Sequence, residues 1–130
     1  EYLISEDFYG FFGLDIIITK NKKVYWVEAN MRKPGTFYPR IIAEKLNNGS
    51  LKEISYIASD FTVPKFKGMP FSELKEKFQK LLYPMNGKKE GVVLYNVGAL
   101  KDAGRFDVVC IGKTNKAAET IYLNLKEGVK

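Results

Sequence analysis

Two short apolar segments separated by a lysine-rich stretch constrain the fold of this chain more than any other feature. Residues 13–19 and residues 24–30 are rich in β-branched and aromatic side chains, which favour extended strands. Only the polar stretch from Lys20 to Lys23 lies between them, and this length is typical of a hairpin loop. The sequence therefore predicts an antiparallel β-hairpin over residues 13–30.

The register of this hairpin is predicted to bring two acidic side chains opposite each other. Counting outward from the loop, the predicted pairs are Thr19 with Val24, Ile17 with Trp26, and Asp15 with Glu28. Directly opposed side chains lie on one face of the hairpin, and the period of two adds Asn30 and Arg32 to that face. Ile17, Trp26 and Val24 are expected on the same face, so the acids would lie at the end of an apolar surface.

Two carboxylates at contact distance indicate a cation site. Like charges that face each other are destabilising, and a proton or a cation usually offsets the repulsion. Oxygen ligands from Asp15, Glu28 and Asn30 suit a hard cation, best of all Mg²⁺, which leaves positions free for substrate phosphates. Arg32 would then face a phosphoryl group. The alternative interpretation is a solvated hairpin face on which both acids pair with nearby lysines.

Composition excludes several classes of function. The chain has no histidine and one cysteine, Cys110, so a His-dependent triad, His-ligated zinc and an internal disulfide are ruled out within it. The net charge of +6 is spread along the chain and comes mostly from lysine, which argues against a nucleic-acid binder. Without a membrane-spanning apolar run or a signal peptide, we expect a soluble, cytoplasmic protein.

The remaining pattern alternates strands and helices, and it predicts an α+β fold with a mainly antiparallel sheet backed by helices. A helix is expected around Ile41 to Leu46, an extended segment over residues 53–63, and a helix from an N-cap at Ser72 to Leu82. A small β-β-α module follows. Its expected parts are a strand at 92–97, a turn at 101–104, a strand at 106–111 and a helix at 114–126. These elements suggest three parts, namely residues 1–50 with the hairpin, residues 51–90 as a linking strand and helix, and residues 91–130.

The hairpin carries a resemblance to a known superfamily. The stretch Gly10 to Asp15, followed after twelve residues by Glu28-Ala29-Asn30-Met31-Arg32, resembles the C-terminal signature of the ATP-grasp superfamily. The loop from Arg32 to Pro39 and the C-terminal third also resemble the peptide-ligase branch typified by the pheganomycin ligase. In this chain Pro34 replaces a second Gly and Tyr38 replaces a His that the loop of that branch often holds, so the substrate is expected to differ.

The resemblance implies the C-terminal part of an ATP-dependent carboxylate-amine (peptide) ligase that acts through an acyl-phosphate. It assigns Asp15, Glu28 and Asn30 to Mg²⁺ (or Mn²⁺), a catalytic role to Arg32, and phosphate or substrate contacts to Arg32, Gly35 and Thr36. The cofactors would be Mg²⁺ and ATP, and the substrates amino-acid or peptide-like carboxylates and amines. A homodimer is compatible with this assignment, and neither nucleic acid nor membrane is an expected partner.

The same resemblance implies that the upstream ATP-grasp subdomain, with its adenine pocket, is missing from this chain. We therefore expect the isolated chain, which begins at Glu1, to be an inactive piece of a longer enzyme. The competing hypothesis is a non-catalytic binding or interaction module that retains an ATP-grasp-like hairpin. Two further expectations are core packing for Trp26 and a buried structural thiol at Cys110. The N-terminal aromatic residues are expected to form core or to contact the missing subdomain; they are Tyr2, Phe8, Tyr9, Phe11 and Phe12.

Overall fold

A computed structural model describes Ser5 and residues 7–130, so the predictions for Glu1 and Tyr2 lie outside the described residues. The chain divides into two compact units, Glu1–Tyr38 and Pro39–Lys130, which we describe separately. It is an α+β protein, as the sequence predicted, but its strands form two antiparallel sheets rather than one, and the hairpin is a sheet by itself. None of the helices in the described ranges combines the length and the apolar character that a membrane span requires.

The regular elements follow the chain in this order. The strands are β1 (Gly13–Ile18), β2 (Val24–Asn30), β3 (Ser55–Thr62), β4 (Gly91–Tyr95) and β5 (Arg105–Gly112). The α-helices are α1 (Phe37–Leu46), α2 (Phe71–Lys77), α3 (Leu100–Ala103) and α4 (Asn115–Val129). Short 3₁₀ turns occupy Pro64–Phe66, Met85–Gly87 and Val97–Ala99.

The larger unit is built around a three-stranded antiparallel sheet in the order β3-β5-β4. Strand β5 lies in the middle and is buried along almost its whole length. Its Phe106 stacks on Phe61 and Phe66, with ring centroids 5.5 and 6.1 Å apart. On the other face of the sheet, Ala43 of α1 belongs to a smaller apolar cluster with Val109. The sheet is therefore covered on both faces, which explains the nearly continuous apolar sequence of β5.

Helix α4 confirms the helix expected over the last part of the chain. Thr114 is its N-cap, and the Thr114 hydroxyl accepts a hydrogen bond from the backbone N–H of Ala117 at 3.1 Å. The helix buries Ala118, Ile121 and Leu125 against the sheet. This spacing of three and four residues is the one that puts side chains on a single helical face.

Some local predictions are wrong. The helix expected to reach Leu82 ends at Lys77. The segment expected as a turn at 101–104 forms helix α3, which ends on Gly104 in the left-handed conformation. Ser72 is not the N-cap of α2, because that helix begins at Phe71 with Pro70 as its cap and without a side-chain capping bond. Strand β3, by contrast, confirms the extended segment, and it pairs along its full length with β5.

Candidate functional site

The hairpin β1/β2 places the two predicted metal-binding carboxylates opposite each other. Asp15 pairs directly with Glu28, and Gly13 pairs with Asn30 at the open end of the hairpin. Both acids are exposed, whereas Asn30 is half-buried. The cross-strand pairing that the sequence predicted for Asp15 and Glu28 is therefore confirmed.

Beyond this acidic pair the predicted register is wrong. The pairing shifts by one residue between Asp15 and Ile16, so Ile16 rather than Ile17 lies opposite Trp26. Such a β-bulge inserts one extra residue in one strand and changes which side chains share a face. Trp26 therefore pairs on the face opposite to Asp15. Ile17 lies on the same face as the acids, as predicted, but its cross-strand partner is Tyr25 rather than Trp26.

Hydrogen bonds of Thr19 hold the loop that connects the two strands of the hairpin. The backbone N–H of Thr19 donates to the carbonyl of Lys23 at 2.9 Å, and the backbone N–H of Lys22 donates to the carbonyl of Thr19 at 2.9 Å. The Thr19 hydroxyl also accepts from the backbone N–H of Lys23 at 3.1 Å. The strand predicted to include Thr19 thus ends at Ile18, because Thr19 is used to hold the turn.

Arg32 is placed beside the third predicted ligand by its own hydrogen bonds. Its backbone N–H donates to the carbonyl of Asn30 at 2.8 Å, and its guanidinium Nη2 donates to the Asn30 side-chain oxygen at 3.3 Å. A second guanidinium nitrogen, Nη1, donates to the Lys33 carbonyl at 3.4 Å. The site thus combines two carboxylates, an amide and a guanidinium at one end of the hairpin.

The loop after β2 is held by aromatic contacts that the sequence did not reveal. The Lys33 ammonium lies 5.2 Å from the ring centroids of both Phe11 and Phe37, and those two rings lie 4.9 Å apart. Pro34 packs so closely on Gly13 that an added Cβ there would lie 3.2 Å from the proline. Cation–π contacts of this kind stabilise the conformation of the loop.

Gly35 and Thr36, the predicted phosphate or substrate contacts, form the exposed turn that leads into α1. The backbone N–H of Phe37 closes this turn on the carbonyl of Pro34 at 3.0 Å. All six predicted site residues therefore belong to the Glu1–Tyr38 unit. Gly35 has open space around its α-carbon among the described atoms, so a ligand could approach its backbone closely.

The surroundings of the two acids agree with the solvated alternative in their exposure but not in the expected pairing with lysines. Within residues 7–130 neither Asp15 nor Glu28 forms an ion pair with a lysine or arginine. Their oxygens and the Asn30 amide oxygen are the donor types that Mg²⁺ prefers. In the same part of the chain, however, no group of three or more His, Cys, Asp or Glu side chains is arranged to hold a metal. A metal here would therefore depend on Asn30, water and ligand phosphates for its remaining positions.

The hairpin exposes apolar side chains on both of its faces. Trp26 is 77% exposed, so its predicted core packing is wrong. Tyr9 is also exposed, and Phe8 is half-buried with its ring 6.3 Å from that of Phe12. The exposed apolar residues of the two strands are Leu14, Ile16, Ile17, Ile18, Val24, Tyr25, Trp26 and Val27. These side chains lie on both faces of the hairpin, and a two-stranded hairpin by itself is only marginally stable.

Cys110 confirms the expectation of a buried structural thiol. It lies in the middle of β5 with no exposed surface, and burial raises the pKa of its thiol to about 12. A buried thiol that keeps its proton is a poor nucleophile, which agrees with a structural role for Cys110.

Comparison with known proteins adds no family to this description. No protein-family model, curated protein or solved structure matches the chain.

Proposed function

We propose that this chain supplies the Mg²⁺- and phosphate-binding half of an ATP-dependent carboxylate-amine ligase of the ATP-grasp type. The observation that carries the proposal is the direct cross-strand pairing of Asp15 with Glu28. Asn30 lies two residues after Glu28 on β2 and therefore on the same face. Two carboxylates and an amide at one end of a hairpin form an oxygen-rich set suited to a hard cation. The sequence resemblance gives the same three residues that role.

In this proposal each polar group near the acids has a task. Asp15, Glu28 and Asn30 would hold Mg²⁺, which supplies charge neutralisation at the phosphates of ATP. Arg32, oriented by its bonds to Asn30, would face the phosphoryl group that passes to the substrate carboxylate. Gly35 and Thr36 offer backbone and hydroxyl donors to a phosphate or carboxylate.

The reaction consists of two substitutions. A carboxylate oxygen attacks the γ-phosphorus of ATP, and ADP leaves as the acyl-phosphate forms. The amine nitrogen then attacks the acyl carbon, inorganic phosphate leaves, the nitrogen loses a proton, and an amide bond results. The guanidinium of Arg32 would stabilise negative charge that develops on the phosphoryl oxygens in both steps.

The proposal also accounts for the exposed apolar surface of the hairpin. In an ATP-grasp enzyme a second subdomain closes over the nucleotide, and it would cover exposed side chains such as Ile17 and Tyr25, which lie on the same face as the acids. The adenine pocket would belong to that second subdomain. We therefore expect the 130-residue chain alone to bind Mg²⁺ weakly and not to turn over ATP.

The experiment compares Glu28→Gln with Glu119→Gln, an identical chemical change at an exposed position of α4. Both are made in the native-length gene product, whose mass is first measured in its own cells with an antibody against this chain. ADP release is then followed with a panel of carboxylates and amines. We expect Glu28→Gln to abolish divalent-dependent ADP release without lowering thermal stability, and Glu119→Gln to leave it unchanged.

The proposal fails if Glu28→Gln retains divalent-dependent ADP release, or if no carboxylate and amine pair elicits ADP release from the native-length product. ADP release by the isolated chain would overturn the narrower claim that it lacks half of the site.

A second candidate function is a non-catalytic interaction module. The specific observation in its favour is the apolar surface that the hairpin exposes on both faces, together with the exposed Tyr9 and Phe11. This alternative predicts no effect of nucleotide or Mg²⁺ on the protein, and loss of a partner when Trp26 is changed to Ser. Glu28→Gln would then leave partner binding unchanged.

A further inference from the structure

A second pair of acidic residues, both aspartates, lies on the three-stranded sheet, entirely within the Pro39–Lys130 unit. Asp107 is on the central strand β5, and Asp60 on β3 is its direct cross-strand partner. Tyr95 on β4 is the partner of Asp107 on the other side. Directly paired residues share a face, so the two carboxylates and the phenol form one row across the sheet.

Asp107 is the buried member of this row, and its hydrogen bonding is incomplete. The residue is only 9% exposed. Its Oδ2 accepts a hydrogen bond from the Asn96 amide nitrogen at 2.7 Å. Its Oδ1 is buried and has no hydrogen-bond partner among the described residues. Asn96 makes its bond from a left-handed backbone conformation, with φ of 48° and ψ of 46°. A buried carboxylate oxygen without a partner is strongly disfavoured unless another group compensates its charge.

The neighbouring charges do not provide this compensation. Arg105, two residues before Asp107 on β5, reaches only Asp60, with Nη2 4.0 Å from Oδ2. Both of these side chains are at least half exposed, which makes the pair weak. Burial, followed by the nearby carboxylates of Asp107 and Asp60, raises the pKa of Tyr95. The row therefore carries net negative charge, and this charge disfavours ionisation of the Tyr95 hydroxyl.

We propose that Asp107 and Asp60 bind a hard divalent cation, Ca²⁺ or Mg²⁺, between them. Asp107 would contribute its unpaired Oδ1 while Oδ2 keeps its hydrogen bond from Asn96, and Asp60 would contribute an oxygen from the solvent side. Because Asp60 is 67% exposed, water can complete the coordination there. Arg105 competes with the cation for Asp60, so its side chain moves away when the cation binds. This site is separate from the hairpin acids and does not depend on the proposed ligase function.

The first experiment measures cation binding to the full chain carrying Glu28→Gln, so that the hairpin acids do not contribute. Ca²⁺ and Mg²⁺ are titrated by calorimetry, and thermal unfolding is measured with 10 mM of either cation against NaCl of equal ionic strength. A site with two carboxylates and several waters is expected to bind with a dissociation constant of about 10⁻⁴ to 10⁻³ M. Saturation at that level raises Tm by about 4 °C or more.

The deciding variants are Asp107→Asn and, as a matched control, Asp102→Asn at an exposed position of α3. Asp107→Asn replaces the unpaired oxygen by an amide N–H and removes the like-charge pair. We therefore expect it to raise Tm without cation and to abolish the response to cation. Asp102→Asn should leave both values unchanged. If Asp107→Asn fails to fold, Asp60→Asn at the exposed partner provides the same test of cation binding.

Arg105→Gln separates cation binding from an internal ion pair. If the aspartates bind a cation, removing the competing guanidinium tightens binding severalfold. The proposal is overturned if neither cation raises Tm or gives a binding isotherm, or if Asp107→Asn retains the response. It is also overturned if Asp107→Asn lowers Tm and Arg105→Gln does likewise, because Arg105 would then be the partner of Asp107.

Discussion

Gly104 offers a stringent test of how the larger unit is packed. It ends helix α3 in the left-handed region, with φ of 67°, and its backbone N–H donates to the Leu100 carbonyl at 2.8 Å. A Cβ at this position would lie 2.1 Å from the Val63 carbonyl oxygen and 3.2 Å from the backbone nitrogen of Lys67. Real Cβ atoms are never found so close to backbone, so Gly104→Ala must displace the segment around Val63.

The expected loss of stability follows from two effects. The left-handed conformation costs an alanine about 1 to 2 kcal/mol. Moving Val63 away also disrupts the hydrogen bond from its backbone N–H to the Gly104 carbonyl, now 3.0 Å, at about 0.5 to 1.5 kcal/mol. Gly104→Ala should therefore lower the free energy of unfolding by about 1.5 to 3.5 kcal/mol.

Urea unfolding followed by far-ultraviolet circular dichroism measures this loss. Gly98→Ala is the matched control, because no described atom lies within 4 Å of the added Cβ and its φ is not in the left-handed region. That control should be neutral or slightly stabilising. A loss below about 0.5 kcal/mol for Gly104→Ala, equal to the control, would refute the reasoning.

Two further predictions concern the C-terminal strand and helix. Thr114→Ala removes the side-chain cap of α4 and should lower the free energy of unfolding by about 1 kcal/mol. Thr120→Ala, at an exposed position inside the same helix, should change it by less than about 0.5 kcal/mol. Urea unfolding of the two variants measures this difference. The raised pKa of Cys110, about 12 against 9.0 unfolded, means that the unfolded state binds fewer protons in that range. Stability should therefore fall as pH rises from about 9, by up to about 1.4 kcal/mol per pH unit, and this slope should be absent from Cys110→Ala; equal slopes in the two proteins would contradict it.

Local sequence signals determined several parts of this protein. The hairpin β1/β2, the opposition of Asp15 and Glu28, and the helix that follows Thr114 all depend on residues close together along the chain. The period of two in a strand and the period of three to four in a helix are local properties. They therefore specify element type and the nearest cross-strand pair without knowledge of the rest of the fold.

The bulge in the hairpin shows where that reasoning stops. Counting from the loop assumed an unbroken ladder, and the pairs nearest the loop are shifted by one residue from that count. The turn includes Thr19, which the sequence predicted to lie in the first strand. The residue types of Thr19 and Lys22 do not indicate this longer turn. A one-residue shift changes the face of every side chain beyond it, which moved Trp26 away from the acids.

What only the tertiary structure decided is which distant segments share the three-stranded sheet. Strands β3 and β4 lie on either side of β5, and this order brings Asp60, Tyr95 and Asp107 into one row. These three residues come from segments far apart in the chain, so no local periodicity relates them. Strand order depends on long-range packing, such as the stacking of Phe61 on Phe106, and the buried aspartate could be recognised only once that packing was known.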